Sequence, residues 1–163
     1  MKPVVAFEAG GVRLRPLAAD DLAATLGWRN RDDARKWFKT DAVIALEQHR
    51  GWFERYLLKD DDVVFIVEAD GVAIGQVAVY DINREAGTAE VGRFLVAPEA
   101  AGKGYLFAAC RALVDWCQRE LRLHRICLEV FEHNQRAIRI YDALGFVETS
   151  RQNGFVVMGK VFG

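Results

Sequence analysis

The chain is short of the features that usually declare a chemistry. Its 163 residues hold three cysteines, Cys110, Cys117 and Cys127, an odd number with no Cys-x-x-Cys or Cys/His ligand spacing. Neither a disulfide framework nor a metal site is therefore expected, and buried thiols in a reducing cytoplasm fit the count. No long apolar run occurs: the longest aliphatic and aromatic stretch in the body, Val63 to Val67, has strand length and falls far short of a membrane span. Met1-Lys2-Pro3-Val4-Val5-Ala6-Phe7-Glu8 carries too short an apolar run for a secretory signal, so a cytoplasmic location is expected. A net charge of −1 gives no global reason to bind nucleic acid or an anionic membrane. No repeat, low-complexity segment or Pro/Gly/Ser linker divides the chain. With 52% apolar and 28% charged residues, the expectation is one soluble domain over 1–163.

What is present is hydrophobic periodicity that changes along the chain. Val12 to Leu17 alternates apolar and basic residues as a half-buried strand does, and Pro16 ends it. Asp20-Asp21 is read as the cap of a helix through Leu22 and Leu26 to Asn30, and a second helix is expected from Leu46 to Leu58. Val63 to Glu68 and Val72 to Tyr80 form a hairpin around Asp70-Gly71, with Thr88 to Ala97 as the next strand. From Gly104 the period becomes helical, with Leu106, Cys110, Leu113 and Cys117 on one face to about Arg122. Arg125 to Phe131 reads as a buried strand. Asn134 caps a helix that Gly145 ends, and two strands close the chain around Asn153-Gly154. The order is β-α-α-β-β-β-α-β-α-β-β, an α/β fold with a mixed sheet.

The stretch from Glu90 to Phe146 carries the chemistry. Strand residues Glu90 to Pro98 lead into Gly102-Lys103-Gly104-Tyr105, a glycine turn opening the long helix. Such a turn aims backbone N–H groups and the positive helix end at one place, a ready site for phosphate. A coenzyme- or nucleotide-binding enzyme follows as the working class.

Val96-x-Pro98…Gly102-Lys103-Gly104-Tyr105 followed by Asn134-x-x-Ala137-x-x-x-Tyr141-x-x-x-Gly145-Phe146 resembles the Gcn5-related N-acetyltransferase superfamily over nearly the whole chain. The resemblance implies a central, mixed but mostly antiparallel sheet of about seven strands, splayed at the fourth and flanked by about four helices. It implies acetyl transfer from acetyl-CoA to an amine by direct attack in a ternary complex. Phe94, Leu95 and Val96 are to pair with the pantetheine. Ala101, Gly102, Lys103, Gly104, Tyr105 and Leu106 are to cradle the pyrophosphate, with Asn134 and Arg136 beside the coenzyme. Ala101 and Leu106 depart from the family's usual Arg/Gln-x-x-Gly-x-Gly/Ala pattern, which predicts weaker coenzyme binding. By the same resemblance Tyr141 protonates the departing thiolate. Glu129 is the first candidate base and Glu90 its rival; a backbone N–H on the Phe94 to Val96 strand serves the oxyanion.

Trp28-Arg29-Asn30…Arg35-Lys36-Trp37-Phe38…Ile44…His49-x-x-Trp52-Phe53 is similar to the subgroup acting on amino-sugar nucleotides, nearest to the nucleotide-sugar N-acetyltransferases of pseudaminic acid biosynthesis. That likeness implies the 4-amine of a UDP-4-amino-4,6-dideoxy-N-acetyl sugar as acceptor. Residues 29 to 39 carry a local surplus of +3, which suits an anionic ligand and argues against a polyamine. Arg29, Trp37, Phe38, Lys39, His49 and Trp52 are the candidate acceptor contacts. Trp-Arg-Asn also occurs in relatives that acetylate ribosomal-protein N-termini or polyamines, which stands as the alternative. A non-catalytic CoA-binding module is a further one. A monomer or homodimer is expected, the closing hairpin offering an edge for pairing.

Overall fold

Turn chemistry sets the first hairpins. The computed structural model describes residues 2–163. Asp70 and Gly71 adopt φ of 52° and 78°, the pair of positive values a type I′ turn needs, and join β3 (Asp62–Ala69) to β4 (Val72–Asn83) as predicted. Asn153 and Gly154, at 51° and 82°, do the same between β7 (Val147–Gln152) and β8 (Phe155–Val161). The remaining predicted strands are β2 (Val12–Pro16), β5 (Thr88–Val96) and β6 (Arg125–Phe131). The predicted helices are α1 (Leu22–Arg29), α3 (Leu46–Leu57), α4 (Tyr105–Arg119) and α5 (Gln135–Ala143).

Two elements go beyond the sequence reading. β1 (Phe7–Ala9) hairpins onto β2 through Gly10 and Gly11, both at positive φ, and α2 (Asp32–Arg35) is a single turn after α1. The described residues thus form an eight-stranded sheet with five α-helices, where about seven strands and four helices were expected. Its order is β1-β2-β3-β4-β5-β6-β8-β7, antiparallel throughout except between β5 and β6. Asp21 also departs from the expectation, since its side chain does not cap α1. Its carboxylate accepts from the Ala18 N–H at 2.8 Å and takes both Nη atoms of Arg15 at 2.8 Å, which ties the start of α1 to β2.

The central strands are buried on both faces, which requires helices on both sides. Phe65, Val67, Val77 and Val79 project into one apolar cluster with Ala109, Leu113 and Cys117 of α4. Val64, Ile66 and Ala78 point the other way, onto Leu22 of α1 and Phe53 and Tyr56 of α3. Burial pushes the Cys110 and Cys117 thiols up to about 12, so they pack as small apolar groups. Among the described residues no helix is long and apolar enough to cross a membrane.

One irregularity shapes the molecule. β5 pairs with β6 only from Thr88 to Glu90, opposite Arg125 to Cys127, and the two strands part beyond that point. On its other side β5 keeps pairing with β4, but the register slips between Gln76 and Ala78, where Arg93 adopts φ 55°. Here β5 carries an extra residue, a bulge that bends and twists the strand. Three contacts hold it. Arg93 Nη1 meets Asp62 Oδ1 at 2.7 Å, Gln76 Nε2 donates to the Arg93 carbonyl at 2.9 Å, and the guanidinium lies 4.2 Å from the centre of the Tyr80 ring. Asp62 is 1% exposed and faces Lys59 Nζ at 3.6 Å as well as Arg93, so removing it takes the carboxylate from two cations at once, one of them the part-buried Arg93 guanidinium.

Asp62→Ala is therefore expected to destabilise the fold by about 3 kcal/mol and lower Tm by about 6–12 °C in thermal denaturation. An unchanged Tm would show that the bulge is held by the strand pairing alone.

Candidate active site

The parting of β5 and β6 opens a cavity of about 820 Å³. β5 lines it with Gly92, Arg93, Phe94, Leu95 and Val96, whose backbone has lost its β6 partner. Across from them stand α5, through Asn134, Arg136, Ala137, Ile140 and Tyr141, and the start of α4.

The α4 terminus is built as predicted. Gly102 and Gly104 take φ of 78° and 79°, and a Cβ at either would meet no atom within 4 Å. Conformation rather than crowding demands glycine here, and the side facing the cavity is open. Ala108 N–H is the first to bond back along the helix, to the Gly104 carbonyl at 3.2 Å. The N–H groups of Tyr105, Leu106 and Phe107 precede that bond and lie at the positive helix end. Ala101 and Leu106 both line the cavity, whereas the Lys103 side chain is not among its walls.

Tyr141 is placed by the cap before it. Asn134 Oδ1 accepts from the Ala137 N–H at 3.3 Å, starting α5, and Tyr141 falls on its inner face with 6% exposure. Its ring packs on Phe94 and Phe146 at 5.7 and 6.1 Å between centroids. Its hydroxyl makes no hydrogen bond among the described residues, and burial raises its pKa well above the ordinary tyrosine range. The proton stays on the oxygen.

Glu90 and Glu129 both line the cavity, in different states. Glu90 is half-buried and accepts from the Tyr80 hydroxyl at 3.0 Å. Burial raises its pKa, the Tyr80 hydrogen bond opposes the shift, and the nearby Glu129 charge adds to it. Tyr80 reaches Glu90 by lying across Gly92, where a Cβ would stand 2.4 Å from the hydroxyl. Glu129 faces away from Leu128 and Val130, as alternation predicts, but its Oε2 is 2.5 Å from Lys39 Nζ. The unpaired, pKa-shifted carboxylate is Glu90, the rival rather than the first candidate.

The predicted acceptor residues divide. Arg29, Trp37, Phe38 and Lys39 line the cavity. His49 and Trp52 do not. His49 Nε2 lies 2.9 Å from Thr25 Oγ1 and its ring stacks on Trp52 at 5.5 Å, while Trp52 stacks on Tyr56 at 5.2 Å. This column seats α3 against α1, and burial lowers the His49 pKa. Of the +3 surplus over residues 29 to 39, which already sets Asp33 and Asp32 against Arg31 and Arg35, the Lys39–Glu129 pair removes one charge. Arg29 stacks on Phe38 at 4.0 Å and donates to the Thr40 carbonyl at 2.6 Å, and its Nη1 is buried without a partner among the described residues.

Tyr80, Phe131 and Phe155 line the cavity without having been singled out from the sequence. Only the register Tyr80↔Glu90 could have flagged the first, and the pairing Phe131↔Phe155 the other two. No cluster of three or more His, Cys, Asp or Glu able to hold a metal ion occurs among the described residues.

The acetyltransferase (GNAT) domain family matches residues 12–147, and the chain belongs to it. Spermidine N(1)-acetyltransferase of Escherichia coli K12 is 29% identical over 153 residues, covering 93% of this chain and 82% of that one. The crystal structure of Vibrio cholerae spermidine N-acetyltransferase in complex with CoA and spermine superposes with a TM-score of 0.84 at 25% identity, covering 93% and 95% of the two chains. A dodecameric structure of the Vibrio cholerae enzyme in an intermediate state gives 0.77 at 25% identity over 93% and 94%. The chain is an acetyl-CoA-dependent N-acetyltransferase. These relatives are polyamine enzymes and lend no support to the nucleotide-sugar subgroup.

Tyr80→Phe removes the hydrogen bond that holds the Glu90 carboxyl down. Its titration midpoint, followed by carboxyl-carbon NMR, is expected to move further above the ordinary carboxylate range. A midpoint that stays put or falls would show that Tyr80 does not control it.

Proposed function

We propose that the chain acetylates a primary amine of a small polyamine-type acceptor within a single catalytic domain, in the cytoplasm. The observation that carries this reading is the composition of the far end of the cavity. Glu90 and Glu129 stand there with the rings of Trp37, Tyr80, Phe131 and Phe155. Carboxylates and aromatic faces together are the chemistry that receives an alkylammonium. Of the basic surplus that argued against such an acceptor, the Lys39 charge is spent on Glu129 within the chain. The polyamine relatives point the same way.

Acetyl-CoA supplies an activated acetyl thioester and an anionic pyrophosphate. The residues present fit it: the open glycine turn with the N–H groups of Tyr105 to Phe107 suits the pyrophosphate, and the unpaired edge of Phe94 to Val96 suits the pantetheine amides. Arg136, on the first turn of α5, adds a cation on the coenzyme's side. An amine arrives as an ammonium and must lose a proton before it attacks. Glu90 is the base, since its raised pKa makes it a better proton acceptor than an ordinary carboxylate. Tyr141, protonated and buried, holds the proton for the sulfur. A backbone N–H of the bulged strand faces the oxyanion.

A second reading keeps the nucleotide amino sugar. It is favoured by one observation, the buried Arg29 Nη1 that has no partner among the described residues, on a side chain lining the cavity. The polyamine relatives also make a homo-oligomer the expectation here, and β7, exposed along its whole length at the sheet edge, is a surface for it.

Acetyl transfer to spermidine, spermine, UDP-amino sugars and an N-terminal peptide, read by free-thiol release, separates the acceptors. Turnover of polyamines is expected, and turnover confined to UDP-sugars or the peptide overturns the main reading. Tyr141→Phe is expected to lower kcat about 100-fold with the acetyl-CoA affinity nearly unchanged. Glu90→Gln should remove the acidic limb of the kcat/KM profile, a limb lying above the ordinary carboxylate range because the folded pKa is raised. A limb retained in Glu90→Gln and lost in Glu129→Gln would return the role to Glu129.

A further inference from the structure

We infer that the Lys39 ammonium is a tethered occupant of the position an acceptor's ammonium takes, and so sets how tightly a cationic acceptor binds. The inference rests on the polyamine reading above. Lys39 lies in the irregular segment 36–45 between α2 and α3, and the Trp28-Arg29-Asn30 motif fixes that segment from behind. Arg29 Nη2 donates to the Thr40 carbonyl at 2.6 Å. Asn30 clasps Ile44, accepting from its N–H and donating to its carbonyl at 2.8 Å each. Ahead of Lys39, Trp37 packs on Phe131 and His133 at 6.5 and 5.3 Å, docking the segment on the β6 side of the cavity. Arg29, read as an acceptor contact, is with Asn30 the clamp that delivers Lys39.

What surrounds the delivered ammonium is the acceptor chemistry itself. Nζ sits 2.5 Å from Glu129 Oε2 and 5.1 Å from the centre of the Phe155 ring. Glu90 is close enough to act on its charge, and the Glu129 hydrogen bond, with the fields of both carboxylates, holds Lys39 protonated. A carboxylate and an aromatic face around a cation are what an alkyldiamine needs, and the chain fills the place with its own side chain. The occupant can leave. The Lys39 side chain is 65% exposed and Glu129 34%, and exposed pairs of this kind are weak. A polyamine must displace Lys39 or share Glu129 with it. Lys39 is thus a specificity-determining residue that acts against cationic acceptors.

The test is calorimetric titration of spermidine into the CoA-loaded protein, where no acetyl group is present to transfer. Lys39→Ala is expected to bind spermidine about 2–5-fold more tightly than the unmodified protein. Lys39→Gln should follow Lys39→Ala, and Lys39→Arg should stay near the original value. Adding Glu129→Gln to Lys39→Ala should cancel the gain. Spermidine affinity that is unchanged or weaker in both Lys39→Ala and Lys39→Gln overturns the inference. Tightened binding without acetylation of any polyamine upholds the role of Lys39 and rejects polyamines as the acceptor. Polyamine turnover without tightening rejects Lys39 alone.

Discussion

The contact on which the site depends is the ion pair between Arg93 and the buried Asp62. Arg93 is the left-handed residue of the β5 bulge, and its side chain reaches across β4 to a carboxylate on β3. The bulge lies just past the point where β5 leaves β6, and the gap becomes the cavity. The same guanidinium lies against Tyr80, whose hydroxyl holds Glu90. One charge pair, its carboxylate buried, thus bears on both the shape of the cavity and the setting of Glu90. A residue other than glycine at positive φ is strained, and the contacts of Arg93 with Asp62, Gln76 and Tyr80 offset that strain.

Charge at the acceptor end is organised by pairing rather than by count. Five basic residues between Arg29 and Lys39 look like an anion site when tallied along the chain. In the fold three of them are matched by carboxylates, and one of those carboxylates, Glu129, stands on the cavity wall. What decides the character of the pocket is which charges are left over. Glu90, bonded to a neutral phenol, and Arg29, whose Nη1 has no partner among the described residues, are two of them.

Much of the frame was legible because it is encoded locally. Asp70-Gly71 and Asn153-Gly154 announce their turns, Gly104 its helix start and Asn134 its cap, and each depends on a few neighbouring residues. Tyr141 follows from that cap by helical spacing. The direction of His49 and Trp52 was not legible, because both faces of α3 offer aromatic residues and only packing against α1 selects one. The Arg93 bulge leaves no mark in Val91-Gly92-Arg93-Phe94, since its cause lies on β3, some thirty positions away. The Lys39–Glu129 pair spans a still longer separation and had no local signal at all. β1 and α2 are too short for periodicity to register.

Under the proposed function, the unpaired edge of β5 and the first turn of α4 are one binding surface, opened by the bulge and closed by the coenzyme. Backbone hydrogen exchange with and without CoA tests this most directly. Protection is expected to rise at Phe94 to Val96 and at Tyr105 to Phe107 together, with the β7–β8 hairpin unchanged. Protection at the α4 turn alone, or a uniform rise across the sheet, would contradict it.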